Sequence, residues 1–356
     1  MRLTAEQREL GAAVRAVLTR YDGADAWRPL TEQIGIAGLG VPEAYGGTGG
    51  GARELHAVLT ELGRTLSPLP FLGSAVLTTQ ALLATGDEHA RARLLPGLAS
   101  GAVVGALAWA EGGSWDPARI RTEAAAGPDG SWRLTGGKEH VLDGADAALL
   151  LVAARTAHGL ALFEVPADGP RLRREALVPV DSTRAQARIV LDGAEGRLLG
   201  ADGDGARVLA RVLDLAVTAL AAEQTGAAAH CLERTVAYAG MRHQFGRPIG
   251  SFQAIKHRLA DAYVRVEAAR TAALAAACAA DDRSPALPRL AAAAKSACSE
   301  AFTAVAGEML QLHGGIALTW EHEAHRYFKR AYGSAQLLGS AAWHRGRLAA
   351  ELGLAG

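Results

Sequence analysis

From about residue 203 onward, apolar side chains recur every three or four positions. Leu209, Leu213, Val217 and Leu220 share one helical face. So do Phe252, Ile255, Leu259 and Val266, and then Phe302, Val305, Met309 and Leu312. Amphipathic helices gain most of their stability by burying such faces against one another, so a helical bundle is the expected scaffold of this part. Pro285 and Pro288 mark a break between two of the helices. The alanine richness raises helix propensity and supplies little side-chain chemistry.

The period changes before that point. Between about 106 and 200, short β-type runs alternate with turn signals at Gly127-Pro128-Asp129-Gly130, Gly136-Gly137, Asp143-Gly144 and Asp168-Gly169-Pro170. Leu149-Leu150-Leu151-Val152 and Leu160-Ala161-Leu162-Phe163 are expected strands facing a core. Residues 1 to about 105 are helical with loops, and Thr4 with Gln7 forms a capping-box pattern ahead of Leu10, Val14 and Leu18. The Gly-rich stretch from Val41 to Gly50 lacks the spacing of a phosphate-binding loop and is taken as an interhelix loop. The order of elements implies an α+β fold. Its parts are an N-terminal helical domain (1–105), a middle β-barrel or sandwich domain (106–200) and a C-terminal helical bundle (201–356).

Composition removes several function classes. The 356 residues include 37 Lys plus Arg and 37 Asp plus Glu, with no long charged run, which argues against nucleic acid and anionic membrane as partners. Cys231, Cys278 and Cys298 are odd in number and lie in Ala-rich stretches, so no disulfide framework is expected. The first residues lack the apolar core of a signal peptide, and no stretch is apolar for long enough to span a bilayer. A soluble cytoplasmic protein is the expectation.

Two segments carry chemistry. In the first, Tyr238 to Asp261, a helix ends near Met241, Arg242 follows, Gly246 and Pro248 turn the chain, and a new helix starts near Ser251. Arg242 can satisfy the helix end or reach a pyrophosphate, and the free N–H groups of the new helix suit an anion or a ribose. In the second, Gln311-Leu312-His313-Gly314-Gly315, two residues without side chains allow close backbone approach. Glu321 and Lys329-Arg330 follow. Together these segments closely resemble the flavin-binding signatures of acyl-CoA dehydrogenases. The resemblance extends to Pro42-Glu43-Ala44-Tyr45-Gly46-Gly47 and Leu95-Pro96, and so covers essentially the whole chain. It implies that Arg242, Gln244, Phe245 and Gln253 touch the FAD of a neighbouring subunit. It also implies that Gly314 and Gly315 admit the pyrophosphate and that Gln311 hydrogen-bonds nearby.

The chain departs from that pattern where the reaction occurs. The family's base is a Glu in one of two places, and the matching positions here are Leu338 and Ala216, neither of which accepts a proton. Asp214, two residues before Ala216, is rotated about 200° around a helix from that position. Glu223 lies seven residues after Ala216, about two turns away on the same face. Glu111 matches a Glu of the family that is not the base. A structural role is expected for all three. On the strands that face the flavin ring, Ala110 replaces a Thr, and His140-Val141-Leu142 replaces Trp-Ile-Thr. Ala110 and Leu142 cannot hydrogen-bond the ring, and His140 is expected to fill the vacated Trp space. Ser114 is a candidate polar contact to flavin or CoA.

His322 and His325 have a metal-like spacing without further ligands, and a solvated helix face is expected there. Asp281-Asp282-Arg283-Ser284 is expected to be an interhelical loop. No metal is called for, and the cofactor implied is FAD. The resemblance implies a short, base-less subunit of a hetero-oligomeric acyl-CoA dehydrogenase, acting on an acyl-CoA thioester such as a sterol side-chain CoA. It would lend its FAD clamp to a full-length catalytic partner, with an electron-transfer flavoprotein or another protein as acceptor. The alternatives are a self-sufficient homo-oligomer with an unrecognised base, a flavin monooxygenase or N-hydroxylase on the same fold, and a scaffold without flavin.

Overall fold

The computed structural model describes residues 1–127 and 130–354. Pro128 and Asp129, of the expected turn at Gly127 to Gly130, lie outside the described residues. Helices α1 (Ala5–Arg20), the single turn α2 (Trp27–Pro29), α3 (Ala52–Arg64), α4 (Thr79–Thr85) and α5 (Glu88–Ala99) come first. Seven strands follow: β1 (Gly105–Ala108), β2 (Glu123–Ala126), β3 (Trp132–Leu142), β4 (Leu149–Thr156), β5 (Gly159–Val165), β6 (Leu172–Ala176) and β7 (Gln186–Leu199). The chain then runs through α6 (Gly205–Met241), a hairpin of β8 (His243–Gln244) and β9 (Arg247–Pro248), α7 (Gln253–Asp281), α8 (Leu287–His313), α9 (Ala324–Gln336) and α10 (Ala341–Glu351). Helices, then strands, then long helices is the order expected from the periodicity. No helix among the described residues is long and apolar enough to cross a membrane.

Two compact units form. One comprises Met1–Thr19, Ala52–Ser67 and Val217–Gly356; the other comprises Arg20–Gly51 and Pro68–Ala216.

The second unit carries the sheet. Its strand order is β1-β4-β2-β3-β7-β5, with β6 on β7 and a further pairing of β4 with β5. That last pairing closes a ring of five strands, so the sheet is a small barrel. Leu134, Leu150, Val152, Phe163 and Ile189 fill it, each at 0% exposure. The first six residues of β4 are all buried, as in a strand covered on both faces. On β3, Lys138 pairs with Ile189 and Val141 with Ala187, so Glu139 and His140 stand against the single Arg188. This bulge puts His140 in the left-handed region, at φ +53°. The Gly-rich loop also lies in this unit. A side chain on Gly47 would meet the Val41 carbonyl oxygen at 2.0 Å, so this glycine serves the loop's own packing.

The first unit is the helical bundle. Its reciprocal cap is present: Thr4 N–H donates to Gln7 Oε1 at 3.0 Å and Gln7 N–H to Thr4 Oγ1 at 3.2 Å. Helices α3 and α6 cross backbone to backbone. A Cβ on Gly63 would stand 2.0 Å from the Glu223 carbonyl oxygen, and one on Gly226 would stand 1.9 Å from that of Thr60. Phe302, Val305, Met309, Val266 and Tyr327 form the main core, and Cys231 lies among them as a free thiol. The break at Pro285 and Pro288 separates α7 from α8. Asp281 does more than end α7. Its carboxylate accepts from Ala52 N–H at 2.5 Å and Arg53 Nε at 2.6 Å, and so caps α3.

Candidate functional site

The first expected segment begins where α6 ends. Arg242 N–H donates to the Tyr238 carbonyl at 2.8 Å, and the Arg242 carbonyl accepts from Ile249 N–H at 2.8 Å. The backbone is thereby fixed while the side chain stays exposed, without an ion-pair partner among the described residues. β8 and β9 pair antiparallel, Gln244 opposite Arg247. Phe245 (φ +53°) and Gly246 (φ +77°) make the turn between them, both left-handed as a type I′ hairpin requires. At 92% exposure the Phe245 ring buries almost nothing within its own chain. Behind it, Phe252 meets Phe245 edge-on at 6.1 Å and holds the Arg247 guanidinium over its ring at 4.1 Å. Gln253 is the first residue of α7 and is exposed.

The second segment ends α8. Gln311 is exposed, and His313 is the last helical residue. Gly314 has φ +66° and ψ −146°, a conformation essentially confined to glycine. A Cβ on Gly314 or Gly315 would meet nothing within 4 Å, so the outer side of this turn is open. The two segments lie together. The Tyr238 ring stacks on that of His313 at 4.3 Å, and its hydroxyl donates to the His313 carbonyl at 3.3 Å. The structure thus brings an unpaired guanidinium, exposed amides, an exposed phenyl ring and an open glycine turn onto the two adjoining helix ends.

Farther along the same signature, Lys329 lies over the Trp320 ring at 4.8 Å. Arg330 is buried and donates to Glu223 Oε1 at 2.7 Å. His322 Nδ1 accepts from Ala324 N–H at 3.1 Å, and His325 packs edge-on against Trp320 at 4.8 Å.

The strands of the barrel unit offer something different. Ala110 and Leu142 are 1% and 5% exposed, so each is covered within the chain and has no polar side-chain atom. His140 is half-buried; its Nδ1 lies 2.9 Å from Gln186 Oε1 and its ring 6.5 Å from Trp115. Ser114 closes a tight turn on Glu111, and its Oγ accepts from Asp116 N–H at 3.2 Å. Glu111 is saturated. It accepts from Lys138 Nζ at 2.5 Å, from Thr122 through N–H and Oγ1, and from Arg121 N–H. Burial alone would raise the Glu111 carboxyl, but Lys138 and Thr122 hold it below the usual carboxylate range. Burial pushes Lys138 down to about 8 against the pull of Glu111.

Both base positions are closed. Ala216 and Leu338 are each 0% exposed. Leu338 is left-handed at φ +62°, and its carbonyl lies 2.9 Å from His344 Nε2. Burial lowers His344 to about 4, so the ring is neutral and Nε2–H is the donor in this contact. Glu223 is tied to Arg330, as a structural role requires, and Asp214 is 6% exposed.

Three features escaped the sequence. Tyr238 and His313 couple the two segments, which spacing alone does not reveal. Asp143 follows Leu142 at φ +56°. Its carboxylate accepts no hydrogen bond among the described residues and fills the space a side chain at Gly73 would need. Burial raises it to about 6. Lys295 is fully buried and donates to Ser299 Oγ, the Ser334 carbonyl and the Ala335 carbonyl, at 2.9, 2.9 and 3.1 Å. It stands seven residues before Phe302 on the apolar stripe, a signal that was available.

These residues fit one part of FAD and not another. The exposed cation and the open Gly314–Gly315 turn suit a pyrophosphate and its adenosine. The apolar, covered Ala110 and Leu142 offer no hydrogen bond to a flavin ring.

Comparison with known proteins bears on the family. The acyl-CoA dehydrogenase N-terminal domain model matches residues 4–102, and the C-terminal domain model matches residues 203–353. Acyl-CoA dehydrogenase IpdE2 of Mycobacterium tuberculosis (strain ATCC 25618 / H37Rv) is 43% identical over 331 residues, 92% of this chain and 87% of the relative. A solved steroid ACAD variant, Tcur3481-Tcur3483, superposes with a TM-score of 0.88 at 34% identity, over 98% of each chain. The ChsE4-ChsE5 complex from Mycobacterium tuberculosis superposes with a TM-score of 0.89 at 30% identity, over 99% of this chain and 98% of that one. With two domain models along most of its length and such identity along nearly all of it, this chain belongs to the acyl-CoA dehydrogenase family, whose members are FAD-dependent.

Proposed function

We propose that this chain is the base-less subunit of a hetero-oligomeric acyl-CoA dehydrogenase, and that it supplies the clamp for an FAD whose ring lies on a catalytic partner. The observation that carries this is an asymmetry within one chain. Arg242, Gln244, Phe245, Gln253, Gln311, Gly314 and Gly315 are exposed at the adjoining ends of α6, α7 and α8. Ala110 and Leu142 are apolar and covered, and Leu338 and Ala216 stand where a base belongs. A homo-oligomer needs both sets intact in every chain. A hetero-oligomer needs the clamp here, with the ring contacts and the base on the partner. The relation to a complex of two different chains, ChsE4-ChsE5, supports this division.

When bound, FAD supplies hydride acceptance from the β-carbon of the acyl group. Arg242 neutralises phosphate charge through a charge-assisted hydrogen bond. Phe245 covers an apolar face, and the Gly314–Gly315 turn lets backbone approach closely. None of these groups moves a proton; the α-proton leaves to a carboxylate of the partner. The relation to a steroid ACAD supports a sterol side-chain thioester as substrate. The test is co-expression with a full-length acyl-CoA dehydrogenase and a count of flavin per chain. One FAD for every two chains is expected.

One observation favours a second reading, a self-sufficient dehydrogenase. Asp143 is a carboxyl without a hydrogen-bond partner, raised to about 6, one residue beyond the strand that faces the flavin in this family. Arg184 pulls it down and Asp146 pushes it up. If the chain alone reduces its flavin with an acyl-CoA and Asp143→Asn stops it, this reading replaces the first.

A further inference from the structure

His313 carries no role in the clamp as described so far, yet four contacts converge on it. Its ring contacts two others, stacked on Tyr238 at 4.3 Å and 25° and tilted against His322 at 4.6 Å and 50°. Its Nδ1 lies 2.7 Å from the Met309 carbonyl, one helical turn back, so Nδ1 is the protonated nitrogen. Its backbone carbonyl accepts from the Tyr238 hydroxyl. The residue is 4% exposed, and burial lowers it from the usual histidine value, helped by His322 and Arg234 and opposed by the Met309 contact and Glu323. A neutral ring suits these ring contacts.

The next residue is Gly314, whose φ and ψ lie where almost only glycine goes. Glycine reaches this conformation without strain, so the position of the turn is set by what packs beside it. The surroundings here are asymmetric. Outside Gly314 and Gly315 a Cβ would meet nothing within 4 Å. The constraint comes from the inner side: Gly314 N–H bonds to the Leu310 carbonyl, Ala317 at the far end of the turn is buried in the core, and the His313 ring packs beneath the junction. His322 is itself fixed, because its Nδ1 accepts from Ala324 N–H at the start of α9. The stack therefore ties together the end of α6, which leads into Arg242, the end of α8 and the start of α9.

We propose that His313 is the positioning residue of the clamp: stacked on Tyr238 and in contact with His322, it sets the Gly314–Gly315 turn against the Arg242 hairpin so that both meet one FAD. This rests on the clamp reading above, and it assigns the alignment of the two segments to one buried imidazole. The ring's planar bulk does the positioning, and the Nδ1–H bond to Met309 fixes its rotamer.

The experiment uses the complex of this chain with its catalytic partner. FAD release is followed by the fluorescence of free flavin, and assembly by size-exclusion chromatography. His313→Ala is expected to weaken FAD retention about tenfold, a loss of the order of one neutral hydrogen bond. His313→Phe keeps a ring in the stack and is expected to stay within about threefold of wild type, whereas His313→Asn keeps the donor, loses the stack and should behave like Ala. Arg242→Ala serves as the control for the clamp itself. If Arg242→Ala loses FAD while His313→Ala and His313→Asn retain it, the positioning role is wrong and the clamp stands. If His313→Phe loses FAD as strongly as His313→Ala, the stack is not what positions the turn. If Arg242→Ala retains FAD, the clamp reading fails first and the positioning role with it. Should His313→Ala not assemble, the Phe and Asn variants decide alone.

Discussion

Glu223→Gln separates structure from chemistry at one residue. Glu223 is the carboxylate on the same face of α6 as the base position Ala216, about two helical turns along. In the structure its Oε1 accepts from Arg330 Nη1 at 2.7 Å, and the two side chains are 8% and 3% exposed. Neutralising the glutamate breaks a buried ion pair from one side, which costs about 3–5 kcal/mol. A loss of that size lowers the melting temperature by roughly 6–20 °C for a unit of this size. Because an ion pair and its apolar replacement are often equal in stability, Glu223→Gln with Arg330→Met is expected to recover at least half of the loss. The assay is thermal unfolding of the purified complex, with acyl-CoA-dependent flavin bleaching measured on the same samples. The structural account expects a large drop in melting temperature, with bleaching per bound flavin unchanged below the transition. An unchanged melting temperature with abolished bleaching would make Glu223 a base and refute the reasoning.

Three further changes have definite signs. Lys295 is pushed down to about 7 by burial, from 10.5. The unfolded chain therefore binds more protons between these values, and stability rises with pH across that window. Lys295→Met should be the more stable protein at pH 7 by up to about 5 kcal/mol, an upper bound because three oxygens offset part of the burial cost. Its advantage should shrink toward pH 10 in urea titrations, and a pH-independent gap would contradict the assignment. Arg242→Ala should cost the assembled complex about 1.5–3 kcal/mol of FAD affinity, read by equilibrium dialysis. Gly63→Ala should destabilise the bundle by at least about 1–3 kcal/mol, since its Cβ would meet the Glu223 carbonyl oxygen at 2.0 Å and only backbone can move.

Much of the fold was legible because it rests on periodicity. The helical stripes through Leu209, Phe252 and Phe302 became α6, α7 and α8, and the run Leu149 to Val152 became β4. The capping box at Thr4 and Gln7 could be seen because it spans three residues. Features that depend on distant parts of the chain were not legible. The pairing of β7 with β3 and β5 in the barrel, the crossing of α3 and α6 at Gly63 and Gly226, and the capping of α3 by Asp281 all join segments far apart in sequence. At the site, the two segments could be listed from the sequence because a motif sets out groups along one stretch of chain, and the structure brings those segments together. What links the segments, Tyr238 on His313, is a tertiary contact and leaves no local pattern. Asp143 was hidden for another reason: it was counted as a turn residue, and only its burial against Gly73 makes it a notable carboxyl.

A complete flavin site made of two different chains has a fixed stoichiometry. The measurement is the FAD-to-polypeptide ratio of the complex between this chain and a full-length acyl-CoA dehydrogenase, taken with Glu→Gln changes in the partner's base alone. The proposed division of labour predicts one FAD for every two chains and activity abolished by the partner's change. One FAD per chain in a stable homo-oligomer of this protein, active by itself, would contradict it.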